Sequence, residues 1–82
     1  MGKVSVRFFA RYAELAGCTS SAVNVPTPAT VADVIARIRE VLPGTQALPP
    51  QPLAALNLRQ VKLDAPVSDG DEVALLPPLS GG

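Results

Sequence analysis

The chain has 82 residues, 48% of them hydrophobic, with seven basic residues balancing seven acidic ones. That is one domain's worth of chain with enough apolar content for a packed core, and too hydrophobic for a disordered segment. Zero net charge provides no global field for nucleic acid or anionic lipid. No apolar run is long enough to span a membrane, so a soluble cytoplasmic protein is expected.

Lys3 to Phe9 alternates as a strand, with Val4, Val6 and Phe8 on one face and Lys3, Ser5, Arg7 and Phe9 on the other. Ala10 to Ala16 has helix-favouring composition and stops at Gly17, which predicts a short helical turn. Ser21 to Val25 predicts a second strand with Val23 and Val25 inward, ended by Pro26 and Pro28. Thr30 to Leu42 is the clearest element. Val31, Val34, Ile35, Ile38 and Leu42 form one apolar helical stripe, Thr30 is placed to cap it, and Asp33 suits its first turn.

Pro43-Gly44 stops that helix, and residues 43–52, with four prolines, read as loop. Leu53 to Asn57 and Gln60 to Leu63 predict a hairpin with Asn57 at or beside its turn. Asp64-Ala65-Pro66 and Ser68-Asp69-Gly70-Asp71 read as turns. Glu72 to Leu76 is the last strand, Val73 and Leu75 facing one way and Ala74 and Leu76 the other. Every proline is expected between elements or in the tail. One helix on one face of a mixed sheet makes a two-layer α+β domain.

Chemistry is more sharply bounded by what is missing. Without histidine there is no Ser-His-Asp or Cys-His nucleophile system, and most zinc sites are excluded. The single cysteine, Cys18, can form no internal disulfide. Gly17, Gly44 and Gly70 stand alone rather than in a phosphate-cradling loop. No metal site is expected. The informative stretch is instead the ending, Leu76-Pro77-Pro78-Leu79-Ser80-Gly81-Gly82. Pro77 and Pro78 favour an extended path, and Gly81 and Gly82 carry no Cβ to meet the walls of a narrow cleft. Six residues from Pro77 onward reach roughly 20 Å. A domain over 1–76 with an extended tail over 77–82 is expected, and any chemistry at that end falls on the Gly82 carboxylate.

Two stretches carry a family resemblance. Val6-Arg7-Phe8-Phe9-Ala10-Arg11-Tyr12-Ala13-Glu14-Leu15-Ala16-Gly17 resembles the opening strand and short helix of the molybdopterin synthase small subunit, a sulfur carrier of the ubiquitin-like β-grasp superfamily. Residues 63–82, with the Asp-Gly-Asp-Glu-Val turn, the Pro-Pro pair and the final Gly-Gly, resemble its ending. Two positions depart from the family: it often has an aromatic residue where Leu76 stands and an apolar one where Gln60 stands.

The resemblance implies a β-grasp fold with a mixed five-stranded sheet on one main helix and a flexible Gly-Gly tail. It implies no cofactor bound by this chain. An adenylating enzyme of the ubiquitin-activating type would use ATP and Mg on Gly82, and a persulfide donor would convert the adenylate to a thiocarboxylate. The molybdopterin synthase large subunit, in a 2+2 heterotetramer, would receive the tail, Gly81 threading its active site. Sulfur would pass to cyclic pyranopterin monophosphate, with catalytic groups on the partners. Phe9 and Leu76, on the outward parity of adjacent strands, would form an apolar docking patch continuing into Pro77, Pro78, Leu79 and Ser80. The acidic run Asp64, Asp69, Asp71 and Glu72 is a solvated loop or steers docking to a basic partner. The rival readings are a thiamine-pathway sulfur carrier, a ubiquitin-like modifier whose Gly82 joins lysines, and a plain interaction domain with an idle tail.

Overall fold

The computed structural model describes residues 1–78. β1 (Gly2–Phe8) alternates strictly between buried and exposed positions, so Val4, Val6 and Phe8 enter the core as their parity predicts. It ends one residue before the expected Phe9. Phe9 then opens a tight turn in which the Tyr12 amide donates to the Phe9 carbonyl at 3.0 Å. Ala10 takes φ 52°, ψ −130° there, the angles of the first central residue of a type II′ turn, where glycine is the default. An alanine held there costs about 1–3 kcal/mol. The helix α1 therefore begins at Arg11 rather than Ala10, and runs Arg11–Ala16. Gly17, at φ 78°, closes it by donating to the Ala13 carbonyl.

β2 (Ser20–Val25) returns antiparallel to β1, with Gly2 opposite Val25 and Arg7 opposite Ser20. After a two-residue strand, β3 (Ala29–Thr30), α2 (Val31–Val41) carries the predicted stripe inward, with Val31, Val34, Ile35 and Ile38 all buried. Thr30 and Asp33 form a reciprocal capping box: Thr30 Oγ1 accepts from the Asp33 amide and Asp33 Oδ2 from the Thr30 amide.

Residues 43–47, expected as loop, instead form a 3₁₀ helix (Pro43–Ala47). Proline at its first position needs no amide partner, so a residue that stops α2 also starts the next turn. Thr45 is fully buried there and its hydroxyl donates to the Leu42 and Ile38 carbonyls. Arg39 fastens the segment from outside, its guanidinium donating to the carbonyls of Thr45, Leu48 and Pro49.

β4 (Leu53–Leu56) and β5 (Arg59–Val61) form the hairpin. Its turn is Asn57-Leu58, both at positive φ (49° and 74°), so β5 starts at Arg59, opposite Leu56, rather than at Gln60. β6 (Pro66–Val67) falls in a stretch read as turn and pairs with β3. Pro66 thus lies within a strand, and Pro43 within a helix, contrary to the expectation for every proline. A two-residue edge ladder leaves room for a residue that donates no amide. β7 (Glu72–Leu76) completes the main sheet.

Sheet order is β2-β1-β7-β4-β5, with β1 and β7 parallel and the other neighbours antiparallel. α2 covers one face, and Val4, Val6, Phe8, Ile38, Val73 and Leu75 make the centre of the core between them. The opposite face carries no main helix. Leu76, the last residue of β7, lies at the end of the central strand of the sheet.

Candidate functional site: the tail root and the open sheet face

β7 occupies the centre of the sheet because it pairs with β1 on one side and β4 on the other. Two rows cross the open face beside it. Ser20, Arg7, Ala74, Ala55 and Gln60 are successive register partners in one row. In the other, Leu76 stands opposite Leu53. Phe9 follows Phe8 and Leu76 follows Leu75, the last registered pair of the β1–β7 ladder, and the Phe9 ring lies against Arg7. Phe9 is 37% and Leu53 42% exposed, while Leu76 is half-buried. Ala55 and Ala74 point outward by parity yet are only 8% exposed.

Phe9 and Leu76, the pair expected to form a patch, thus each follow the last registered pair of the ladder. Leu53 was not expected here; its parity two residues before Ala55 is the signal that puts it on the same face. Pro77 is half-buried and Pro78 exposed. With Leu76 they line a groove of about 920 Å³ shared with Ala10, Arg11, Leu53 and Gln60. Gln60, the polar departure noted above, thus sits on this groove. Leu79, Ser80, Gly81 and Gly82 lie outside the described residues.

Charge is arranged along β7. At its tail end stands Arg11; Arg7 lies over the Phe9 ring, 5.3 Å from the centroid, and 3.9 Å from Glu72. Half-exposed, that ion pair adds at most about 1 kcal/mol. Asp64 lines a separate groove with Leu53, while Asp69, Asp71 and Glu72 gather at the other end of the strand, about 13 Å away at ~3.3 Å per residue. There the Asp71 carboxylate accepts from the Ser68 amide and Asn57 Nδ2, and Asp69 from the Lys3 amide. Those carboxylates order the loop before β7 rather than bordering the tail. Among the described residues no three His, Cys, Asp or Glu side chains gather as metal ligands, and no helix is long and apolar enough to cross a membrane. The arrangement leaves the root of the tail beside a groove that is mostly apolar, on the sheet face that α2 does not cover.

Comparison with known proteins agrees with this geometry. The chain matches the ThiS family over residues 6–82. It is 33% identical to the molybdopterin synthase sulfur carrier subunit of Chlamydomonas reinhardtii over 82 residues, covering 98% of this chain and 99% of that protein. Small archaeal modifier protein 1 of H. volcanii superposes with a TM-score of 0.88 at 26% identity, over 96% of this chain and 100% of that one. Subunit 1 in the complex of subunits 1 and 2 of the molybdopterin-converting factor from Helicobacter pylori is matched with a TM-score of 0.69 at 27% identity, over 98% and 99% of the two chains. By sequence along its whole length and by its ubiquitin-like β-grasp fold, the chain belongs to the ThiS family of sulfur carriers, alongside the molybdopterin synthase sulfur carrier subunits.

Proposed function

We propose that this chain is the sulfur-carrying subunit of a molybdopterin synthase and that the Gly82 carboxylate is the group that carries sulfur. The observation that supports this best is the full-length likeness to molybdopterin synthase sulfur carrier subunits, running through the final Gly-Gly. The position of Leu76 and Pro77 at the end of the central strand, beside a groove on the sheet face that α2 does not cover, fits the same reading.

A free carboxylate is a poor acyl donor. An adenylating partner uses ATP and Mg to join AMP to Gly82 and release pyrophosphate, which gives the acyl carbon a good leaving group. The terminal sulfur of a persulfide donor attacks the acyl carbon and AMP departs, leaving an acyl disulfide. A second thiol, such as another cysteine of the donor, then reduces its S–S bond, forming a disulfide with the donor and leaving the chain ending in a thiocarboxylate. The tail then enters the large subunit, Gly81 passing the narrowest part of the cleft because it lacks a side chain. Sulfur goes to cyclic pyranopterin monophosphate, two charged tails serving each dithiolene. Phe9, Leu76, Pro77, Pro78, Leu79 and Ser80 form the contact surface, and the catalytic groups belong to the partners. A 2+2 heterotetramer places one tail at each of two active sites.

The assay combines the thiocarboxylated chain, the large subunit and cyclic pyranopterin monophosphate. Molybdopterin forms on this reading, and its absence with a competent large subunit contradicts it. A second reading, a protein modifier, is favoured by the likeness to the archaeal modifier protein. It predicts laddered conjugates on lysines in the presence of the activating enzyme. A thiamine-pathway carrier would instead deliver sulfur to a thiazole precursor, with no molybdopterin formed.

A further inference from the structure

Two adjacent residues at the tail root go against their local chemistry. Ala10 occupies the glycine position of a type II′ turn, at φ 52°. Arg11, the next residue, is the first of α1, where unpaired amides already give the backbone a partial positive charge. A cation there contributes nothing to the helix. Nor does Arg11 contribute elsewhere in the fold: it is exposed and, among the described residues, makes no ion pair or hydrogen bond. Three of the other arginines are engaged. Arg7 meets Glu72 and Phe9, Arg37 meets Glu40, and Arg39 holds three carbonyls.

Among the described residues, Arg11 is also the only charged one on the groove it shares with Leu76, Pro77 and Pro78. On its other side it shares a smaller groove with Glu14 and Pro78, and forms no ion pair with Glu14. Departures from local preference that no packing contact repays concentrate where binding, rather than folding, selects the residue.

We infer that Arg11 receives a carboxylate from the protein that engages the tail, while the apolar lining beside it takes the side chain adjoining that carboxylate. A guanidinium recognises a carboxylate through two parallel N–H···O bonds, which fixes orientation as well as sign. The groove is continuous with Pro77 and Pro78, so a partner that holds the tail beyond Pro78 lies within reach of Arg11. The docking surface at this end therefore selects an acidic-rimmed apolar partner, opposite to what the acidic run at 64–72 suggests. This inference rests on the proposed function, because the tail is what brings the partner here.

The test is the affinity of the large subunit of molybdopterin synthase from the same organism for the full chain and for Arg11→Lys, Arg11→Gln and Arg11→Glu, across a salt series. Thermal midpoints should stay equal for Arg11→Lys and Arg11→Gln, because the exposed Arg11 makes no ion pair or hydrogen bond among the described residues, and rise slightly for Arg11→Glu, because a carboxylate suits the start of a helix. Arg11→Glu should weaken binding at low salt by at least about tenfold, Arg11→Gln by less with a shallower salt dependence, and Arg11→Lys least. A lysine placed at the partner's facing carboxylate should restore affinity for Arg11→Glu. Wild-type binding with Arg11→Glu within twofold and an unchanged salt response overturns the inference and leaves the proposed function standing. Failure of the wild-type chain itself to bind overturns the proposed function, and the inference with it.

Discussion

Leu76, the last residue of β7, stands directly opposite Leu53 of β4 on the sheet face that α2 does not cover. Leu75, one residue earlier, is fully buried against Phe8 and the helix side. A single step thus separates the buried Leu75 from the half-buried Leu76, and the buried Phe8 from the exposed Phe9.

That step yields a sharp comparison. Phe8→Ala removes a side chain only 2% exposed and should cost about 3–5 kcal/mol. Phe9→Ala and Leu76→Ala should cost much less stability and instead weaken binding of the large subunit by about 1–2 kcal/mol each. Thermal midpoints measured beside affinities for all three variants check this. Equal unfolding of Phe8→Ala and Phe9→Ala would show that the open face is covered in solution.

Arg39 should prove to be a structural residue despite lying off the apolar stripe of α2. Its guanidinium holds three backbone carbonyls of the segment after the helix. Arg39→Ala should cost about 1–3 kcal/mol, whereas Arg37→Ala, which loses only an exposed pair with Glu40, should change the thermal midpoint very little.

Leu58 is strained and serves no packing, being 87% exposed at φ 74° in the hairpin turn. Leu58→Gly should stabilise the domain by about 0.5–1 kcal/mol, since relief of the left-handed strain exceeds the glycine's added chain entropy. A thermal midpoint raised by about 3–6 °C is the expected reading; a lowered one would mean the leucine packs in solution.

Much of this fold was legible because its strongest elements follow simple periods. The alternation in β1 and the stripe and capping box of α2 are local patterns, and the structure keeps them, whereas in β7 three successive residues, Val73, Ala74 and Leu75, are all buried. What escaped is non-local or too short to be periodic. The β3–β6 ladder is two residues per strand and exists only through Ala29 meeting Val67 and Thr30 meeting Pro66. The 3₁₀ helix at 43–47 depends on Thr45 and Arg39 reaching carbonyls outside their own turn. Ala10 resisted prediction for the opposite reason: alanine signals helix, and only the requirement to turn sharply between β1 and α1 forces it to positive φ. At the site, Phe9 and Leu76 could be read from parity. Arg11 could not, since its place beside Pro78 is set by the parallel pairing of two strands some seventy residues apart in sequence.

The central claim is that sulfur rides on the Gly82 carboxylate, and the most direct measurement is the intact mass of the chain. The chain is incubated with ATP, Mg, its activating enzyme and a persulfide donor, alongside a version lacking Gly82. The full chain should gain the mass of sulfur replacing one oxygen, localised to its last residue, and the shortened chain, equally folded, should gain nothing. An unchanged mass for the full chain with an activating enzyme that turns over, or an equal gain by the shortened chain, would contradict it.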